Sequence, residues 1–159
     1  MSWYLSGGAA NSDPNASLGG AKSANAVAET LNGLFDDVSG AESEAGDIEY
    51  RCVYFMNETG ITLENVHVYL QADASGDDAL AIAKDLAGKN ATADTIADES
   101  TAPDPAVSWN TGADYASGID LGDLDDDDYF AVWVRRTVPV GADGGTSSWT
   151  IRARGETAS

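Results

Sequence analysis

The stretch DIEYRCVYFMNETGITLENVHVYLQ, residues 47–71, decides the fold. Ile48, Tyr50, Cys52, Tyr54 and Met56 alternate with Glu49, Arg51, Val53 and Phe55, which is the period-two pattern of a strand apolar on one face and mixed on the other. Asn57 to Gly60 supply turn residues, and the next run sets Val66, Val68 and Leu70 opposite His67, Tyr69 and Gln71. The two runs therefore read as a hairpin. Outward from it, further strands are expected over residues 79–86, 94–97, 106–109, 116–121, 129–140 and 147–154, separated by Gly, Asp and Pro clusters. Many short strands, with no long amphipathic helix between them, predict an all-β chain folded as an antiparallel β-sandwich, immunoglobulin-like in preference to jelly-roll.

The chain of 159 residues suits one compact domain. Residues 1–46 are rich in Ala, Gly, Ser and Asn and lack periodicity, so they read as an extended, irregular N-terminal arm, with residues 47–159 forming the sandwich. Within the arm, Ser23 is placed to cap a short helix over residues 24–35, where Ala24, Val27, Leu31 and Leu34 fall near helical spacing. No apolar run approaches the ~20 residues of a membrane span. The opening MSWYLSGG lacks the basic start and apolar core of a secretory signal.

Net charge is -19, from 27 acidic and 8 basic residues, and the acids are 19 Asp against 8 Glu. Such a surface repels nucleic acid, and self-repulsion of this size favours a high-salt environment that screens it. Cys52 is the only cysteine, so stability must come from packing rather than from a disulfide within the chain.

Candidate chemistry is sparse. His67 is the only histidine, it lies mid-strand, and no nucleophile elbow accompanies it, so an enzyme is not expected and no catalytic residue is assigned. Asp123, Asp125 and Asp127, within an Asp-rich run that ends at Asp128, offer hard oxygen ligands for Ca2+, but without EF-hand spacing. No other cofactor is indicated. Asn15, Asn57 and Asn90 each open an N-x-S/T sequon. All five arginines, Arg51, Arg135, Arg136, Arg152 and Arg154, fall in expected strands, where they either pair with carboxylates across the sheet or present a docking face to an acidic partner.

Five further features carry a resemblance: SLGG (residues 17–20), the Asp36-Asp37-Val38-Ser39-Gly40 segment, the EYRC strand (49–52), TIADE (95–99) and VWVRRTV (132–138). In these the chain resembles a family of small virion structural proteins of tailed bacterial and archaeal viruses, over nearly its whole length. The resemblance implies a non-enzymatic capsid decoration or cement protein, assembled in the host cytoplasm and located in the virion. It would contact the major capsid protein and copies of itself as a homodimer or homotrimer, without nucleic acid or membrane. Arg135, Arg136 and Arg152 are then interface candidates, with Trp3 and Tyr4 as anchors on the arm. The Asp125–Asp128 run stands where a short Gly or Pro turn is expected, and with the extreme charge it suits a haloarchaeal virus. A tail, baseplate or turret component is the alternative within the particle. A calcium-assisted cell-surface binding module is the alternative of another class. Separately, residues 55–70 are similar to a hairpin of many immunoglobulin-like modules.

Overall fold

The computed structural model describes residues 1–30 and 32–157. Among these, seven strands form two antiparallel sheets: β1 (Ser2–Leu5), β2 (Asp47–Met56), β3 (Leu63–Ala72), β4 (Ala79–Lys84), β5 (Ile119–Leu124), β6 (Tyr129–Val138) and β7 (Thr150–Thr157). The four-stranded sheet has the order β1-β2-β6-β4 and the three-stranded sheet the order β5-β3-β7. The expected β-sandwich is thus what the chain forms. Its order pairs β2 with β6, whereas the immunoglobulin constant-type order pairs the second strand with the fifth and the third with the sixth.

Ten successive residue pairs, from Asp47 opposite Val138 to Met56 opposite Tyr129, join β2 to β6. Val53, Phe55, Phe130, Val132 and Val134 turn inward and meet Val66, Val68, Leu70, Leu80, Ile82, Leu121 and Leu124 in the core between the sheets. Tyr50, Cys52, Tyr54, Ala131 and Trp133 point the other way, yet they too are buried, beside Ala83, Ala93 and Ile96. Their polar atoms are met by the covering loops. Tyr54 donates its hydroxyl to Gly20 O at 2.7 Å and accepts from Ala93 N at 2.9 Å, and Trp133 Nε1 donates to Asp85 Oδ2 at 2.8 Å. The central strands are therefore sealed on both faces, not on one.

The expected hairpin at residues 47–71 does not form, because β2 and β3 lie in different sheets. Asn57 makes the crossing. Its side chain is fully buried, and its Nδ2 donates to Ile61 O (2.8 Å) and to Leu124 O (2.9 Å), while Oδ1 accepts from Thr59 Oγ1 (2.7 Å). The amide thus ties the β2–β3 arch to the end of β5, where the chain crosses back. The Asp-rich run completes the join: Asp126 Oδ1 accepts from Gly60 N, Asp125 Oδ1 from Thr62 Oγ1 and Asp123 Oδ1 from Asn65 N, at 2.6–2.9 Å.

The N-terminal segment belongs to the sandwich. β1 pairs with β2, and residues 23–27 run beside β1. The helix expected over residues 24–35 is absent from the described part of that segment. Asn32 turns into left-handed φ (+61°), and a side chain on Gly33 would come within 2.0 Å of Ala28 O, so the backbone folds on itself there. Leu31, one of the expected helix positions, lies outside the described residues, as do positions 158 and 159 of the expected sandwich segment. Leu34 and Phe35 enter the main core. A helix forms later, α1 (Gly40–Ala45), with a capping box in which Ser39 and Glu42 satisfy each other's backbone N–H groups. The expected strands at 94–97 and 106–109 are loops, whose only ladder contacts nearby are the single bridges at Ala93 and Asn110.

Replacing Asn57 by Ala orphans the buried Leu124 carbonyl, removes a donor from Ile61 O and loosens both arches. Urea unfolding is expected to show a loss of about 2–3 kcal/mol for this variant, against little change for Glu44→Ala on the exposed side of α1.

Candidate interaction surface

A sandwich of two sheets has four edge strands, and each presents unpaired backbone groups unless something covers it. Two are covered, and a third has carbonyls met by lysines. Along β1, Leu5 N donates to Asn25 O, Val27 N to Trp3 O and Ser23 N to Leu5 O at 2.8–3.0 Å. On β4, Ile82 exchanges two hydrogen bonds with Asn110, and Leu80 N donates to Asp73 Oδ1. On β5, Lys84 Nζ and Lys89 Nζ donate to the carbonyls of Asp120 and Asp123, and Gly122 at φ +79° breaks the regularity of the strand.

β7 differs. It pairs only with β3, and among the described residues no backbone or side-chain group bonds to its outer edge. Ile151 and Ala153 pack against the core, and Arg152, Arg154 and Glu156 are exposed on the other face. Arg154 lies 5.1 Å from the Tyr115 ring, which in turn stacks on His67 at 4.5 Å, while Tyr69 stands opposite Arg152. In a chain of net charge -19, this uncovered edge carries two exposed guanidiniums.

The other sequence candidates sit elsewhere. Arg135 is half-buried with its guanidinium 4.7 Å from the Trp109 ring, on the loop-covered face. Arg136 is not available to a partner: it is 2% exposed, points between the sheets, and donates from Nε to Glu49 Oε2 at 2.5 Å. Glu49 stands directly opposite it on β2. Trp3 and Tyr4 do not sit on a free arm. Trp3 packs 5.3 Å from Phe55, and Tyr4 donates to Glu58 Oε1 at 2.6 Å beneath Lys22.

The Glu49–Arg136 pair is the centre of a buried charge cluster at one end of the core. Arg51, fully buried, lies 3.9 Å from Glu49 and 2.5 Å from Glu99; Arg136 reaches Asp36 at 3.6 Å; and both guanidiniums lie about the Phe35 ring, at 5.3 and 4.9 Å. Burial pushes the Glu49 carboxyl above its ordinary value, against the pull of Arg136. Sequence reasoning passed over Glu49, although its phase with Arg51, Val53 and Phe55 places it on the inward face. A cavity of about 750 Å³ opens beside the cluster, with Trp3, Phe35, Val53, Trp149 and Ile151 on its wall, but the charge of Arg136 there is already met by Glu49 and Asp36.

The remaining candidates have structural employment. Asp123 and Asp125 hold the arch and Asp127 sits at a left-handed turn (φ +68°), and among the described residues these aspartates do not form a group with metal-binding proximity. His67 lies 3.9 Å from Asp120 and against Tyr115. Cys52 is fully buried, which pushes its thiol well above the ordinary value, away from nucleophilic use. Of the sequon asparagines, Asn57 is buried with both amide hydrogens engaged, Asn90 bonds Asp128, and Asn15 accepts from Arg51. No helix among the described residues is long and apolar enough to cross a membrane. No family model, curated protein or solved structure matches the chain.

Arg136→Met leaves Glu49 buried without its partner, and unfolding at pH 7 is expected to need about 3–5 kcal/mol less than in the parent chain. A group with a raised folded-state pKa contributes stability that is full below its unfolded value and is lost as pH rises through the folded value. In the variant that raised value climbs further, so the deficit should shrink on acidification from neutral pH towards the ordinary carboxylate range. Denaturant titrations across this interval measure it.

Proposed function

We propose that this protein is a non-enzymatic structural component of a virion, a capsid decoration or cement protein that docks on the major capsid protein through the β7 edge. One observation carries the reading: the β1 and β4 edges are covered by other segments, β5 has carbonyls met by lysines, and among the described residues the β7 edge has no hydrogen-bond partner and carries Arg152 and Arg154. An edge of this kind recruits a partner by strand addition, in which main-chain bonds give affinity and side chains on the rim give selectivity. The two arginines select an acidic partner surface, and the acidic remainder of the molecule repels wrong encounters.

The resemblance in the Asp36–Gly40, EYRC and VWVRRTV segments supports the same reading, because the family it points to decorates or builds viral particles. Copies repeated over a capsid lattice add weak individual contacts into a large total through avidity, so a single bare strand per copy suffices. The carboxylate-rich surface fits particles that assemble in high salt, where screening removes its self-repulsion.

Purified virions from the genome that encodes the chain are expected to contain it in many copies, with an antibody labelling the head surface. Recombinant protein should rebind heads stripped of it, and Arg152→Glu with Arg154→Glu should weaken that rebinding about tenfold or more, whereas Lys22→Glu should not. Absence from virions, label confined to the tail, or rebinding unchanged by the β7 substitutions contradicts the assignment.

A further inference from the structure

The β1 and β7 edges lie on one side of the sandwich, and the cavity of about 750 Å³ opens between them, with Ser2 and Trp3 of β1 and Thr150 and Ile151 of β7 on its wall. The opposite side is closed, where Lys84 of β4 bonds the Asp120 carbonyl of β5. Trp3, Val27, Trp149 and Ile151 pack against the core yet stay partly exposed on the cavity side. Arg136, at the polar end, is matched by Glu49 and Asp36, so the surface left to an occupant is mainly apolar.

This cavity and the open edge of β7 are continuous, and together they define what fits. Among the described residues no group bonds to the outer backbone edge of β7; Ile151 and Ala153 point inward, while Arg152, Arg154 and Glu156 are exposed on the outer face. A strand added to that edge inherits the alternation, because residues directly opposite one another in an antiparallel ladder share a face. The residue opposite Ile151 therefore points into the cavity, and those opposite Arg152 and Arg154 stand beside guanidiniums. A second copy of the chain does not meet these demands. Pairing β7 with β7 over most of its length sets Ile151 against Gly155 or Thr157, which are too small to fill the space.

We propose that the β7 edge binds one extended segment of a partner protein by antiparallel strand addition, with a large apolar side chain opposite Ile151 filling the cavity and carboxylates opposite Arg152 and Arg154. The inference rests on the docking reading of β7 and adds the sequence chemistry of the partner: acidic, any, acidic, large apolar, read from its N-terminus, with a neutral or basic residue opposite Glu156. Main-chain bonds hold the segment, the apolar anchor fixes its register, and the carboxylates select it. A free apolar molecule would fill the cavity but leave the β7 backbone unpaired, so a polypeptide satisfies more of the site.

The test is fluorescence anisotropy of labelled synthetic peptides with the full-length chain at a fixed KCl concentration. The peptide TKVEVEWT carries the stated pattern, and TKVEVWET has the same composition with Trp and the last Glu exchanged between faces. The first is expected to bind about tenfold or more tightly than the second, and to lose about tenfold or more when its Trp becomes Ala. The chain carrying Arg152→Glu with Arg154→Glu, both on the surface, should reverse the charge preference and take TEVKVKWT in place of TKVEVEWT. Equal binding of the two isomers, no binding of TKVEVEWT, an unreversed preference, or N-acetyltryptophanamide binding as tightly as the peptide overturns the inference. So does a dimer in sedimentation equilibrium that the β7 substitutions dissociate. If the chain is found on virion heads but TKVEVEWT does not compete with its rebinding, the inference fails and the virion reading stands. If the peptides behave as expected and virions lack the chain, the virion reading fails alone.

Discussion

The β2–β6 ladder has both faces buried, and the rest of the molecule is arranged to meet that requirement. Its inner face forms a core with the three-stranded sheet, as in any sandwich. Its outer face carries Tyr50, Cys52, Tyr54 and Trp133, which no third sheet covers. The Gly/Ser/Asn-rich N-terminal segment and the long connection between β4 and β5 are laid over it instead, and they supply the hydrogen-bond partners its hydroxyl, indole and unpaired backbone groups need. Beyond the end of β1, Tyr50 N donates to Glu99 O and Cys52 N to Ser17 O, so these loops finish the edge of β2 as strands would. Loops without periodicity are thus structural walls here.

The excess of aspartate over glutamate follows from the same economy. In loops that cover a sheet, many backbone N–H groups have no ladder partner, and a short carboxylate can accept from the backbone one or two residues on. Asp13, Asp85, Asp98, Asp114 and Asp120 each accept from the N–H two or three residues ahead, and Asp73, Asp123 and Asp126 accept from more distant segments. Glutamate would overshoot most of these. The negative charge thus serves the loops locally while placing the whole surface in a regime where salt matters. Inside the core the few arginines meet a different demand, since Arg51 and Arg136 are buried and must be matched by Glu49, Glu99 and Asp36.

Strand positions were legible in the sequence because period-two alternation is a local property: β2, β4 and β6 lie within the stretches the pattern marks, β3 runs one residue past its stretch, and β5 and β7 are displaced by three residues from theirs. Partners were not legible. Asn57 to Gly60 has turn chemistry that serves a hairpin and an inter-sheet arch equally, and what separates them is the amide of Asn57 bonding Leu124, 67 residues away. The capping box at Ser39 and Glu42 was readable as S-x-x-E and escaped notice because the helix it starts is only six residues long. Arg152 and Arg154 could be placed on a strand, but that the strand is an uncovered edge depends on where every other edge finds its cover. The burial of Arg136 depends on register: Glu49 faces it only because Asp47 pairs with Val138.

The unequal covering of the four edges is the feature on which the docking assignment rests, and amide hydrogen exchange on the free protein reads it directly. Alternate amides of Thr150–Thr157, those directed away from β3, should exchange rapidly, while Leu5, Val27, Leu80, Ile82 and Asn110, whose N–H groups cover the β1 and β4 edges, should be protected. Protection of every β7 amide in the free chain, or equally fast exchange along the β1 and β4 edges, would contradict the claim that the β7 edge is left open where those two are closed.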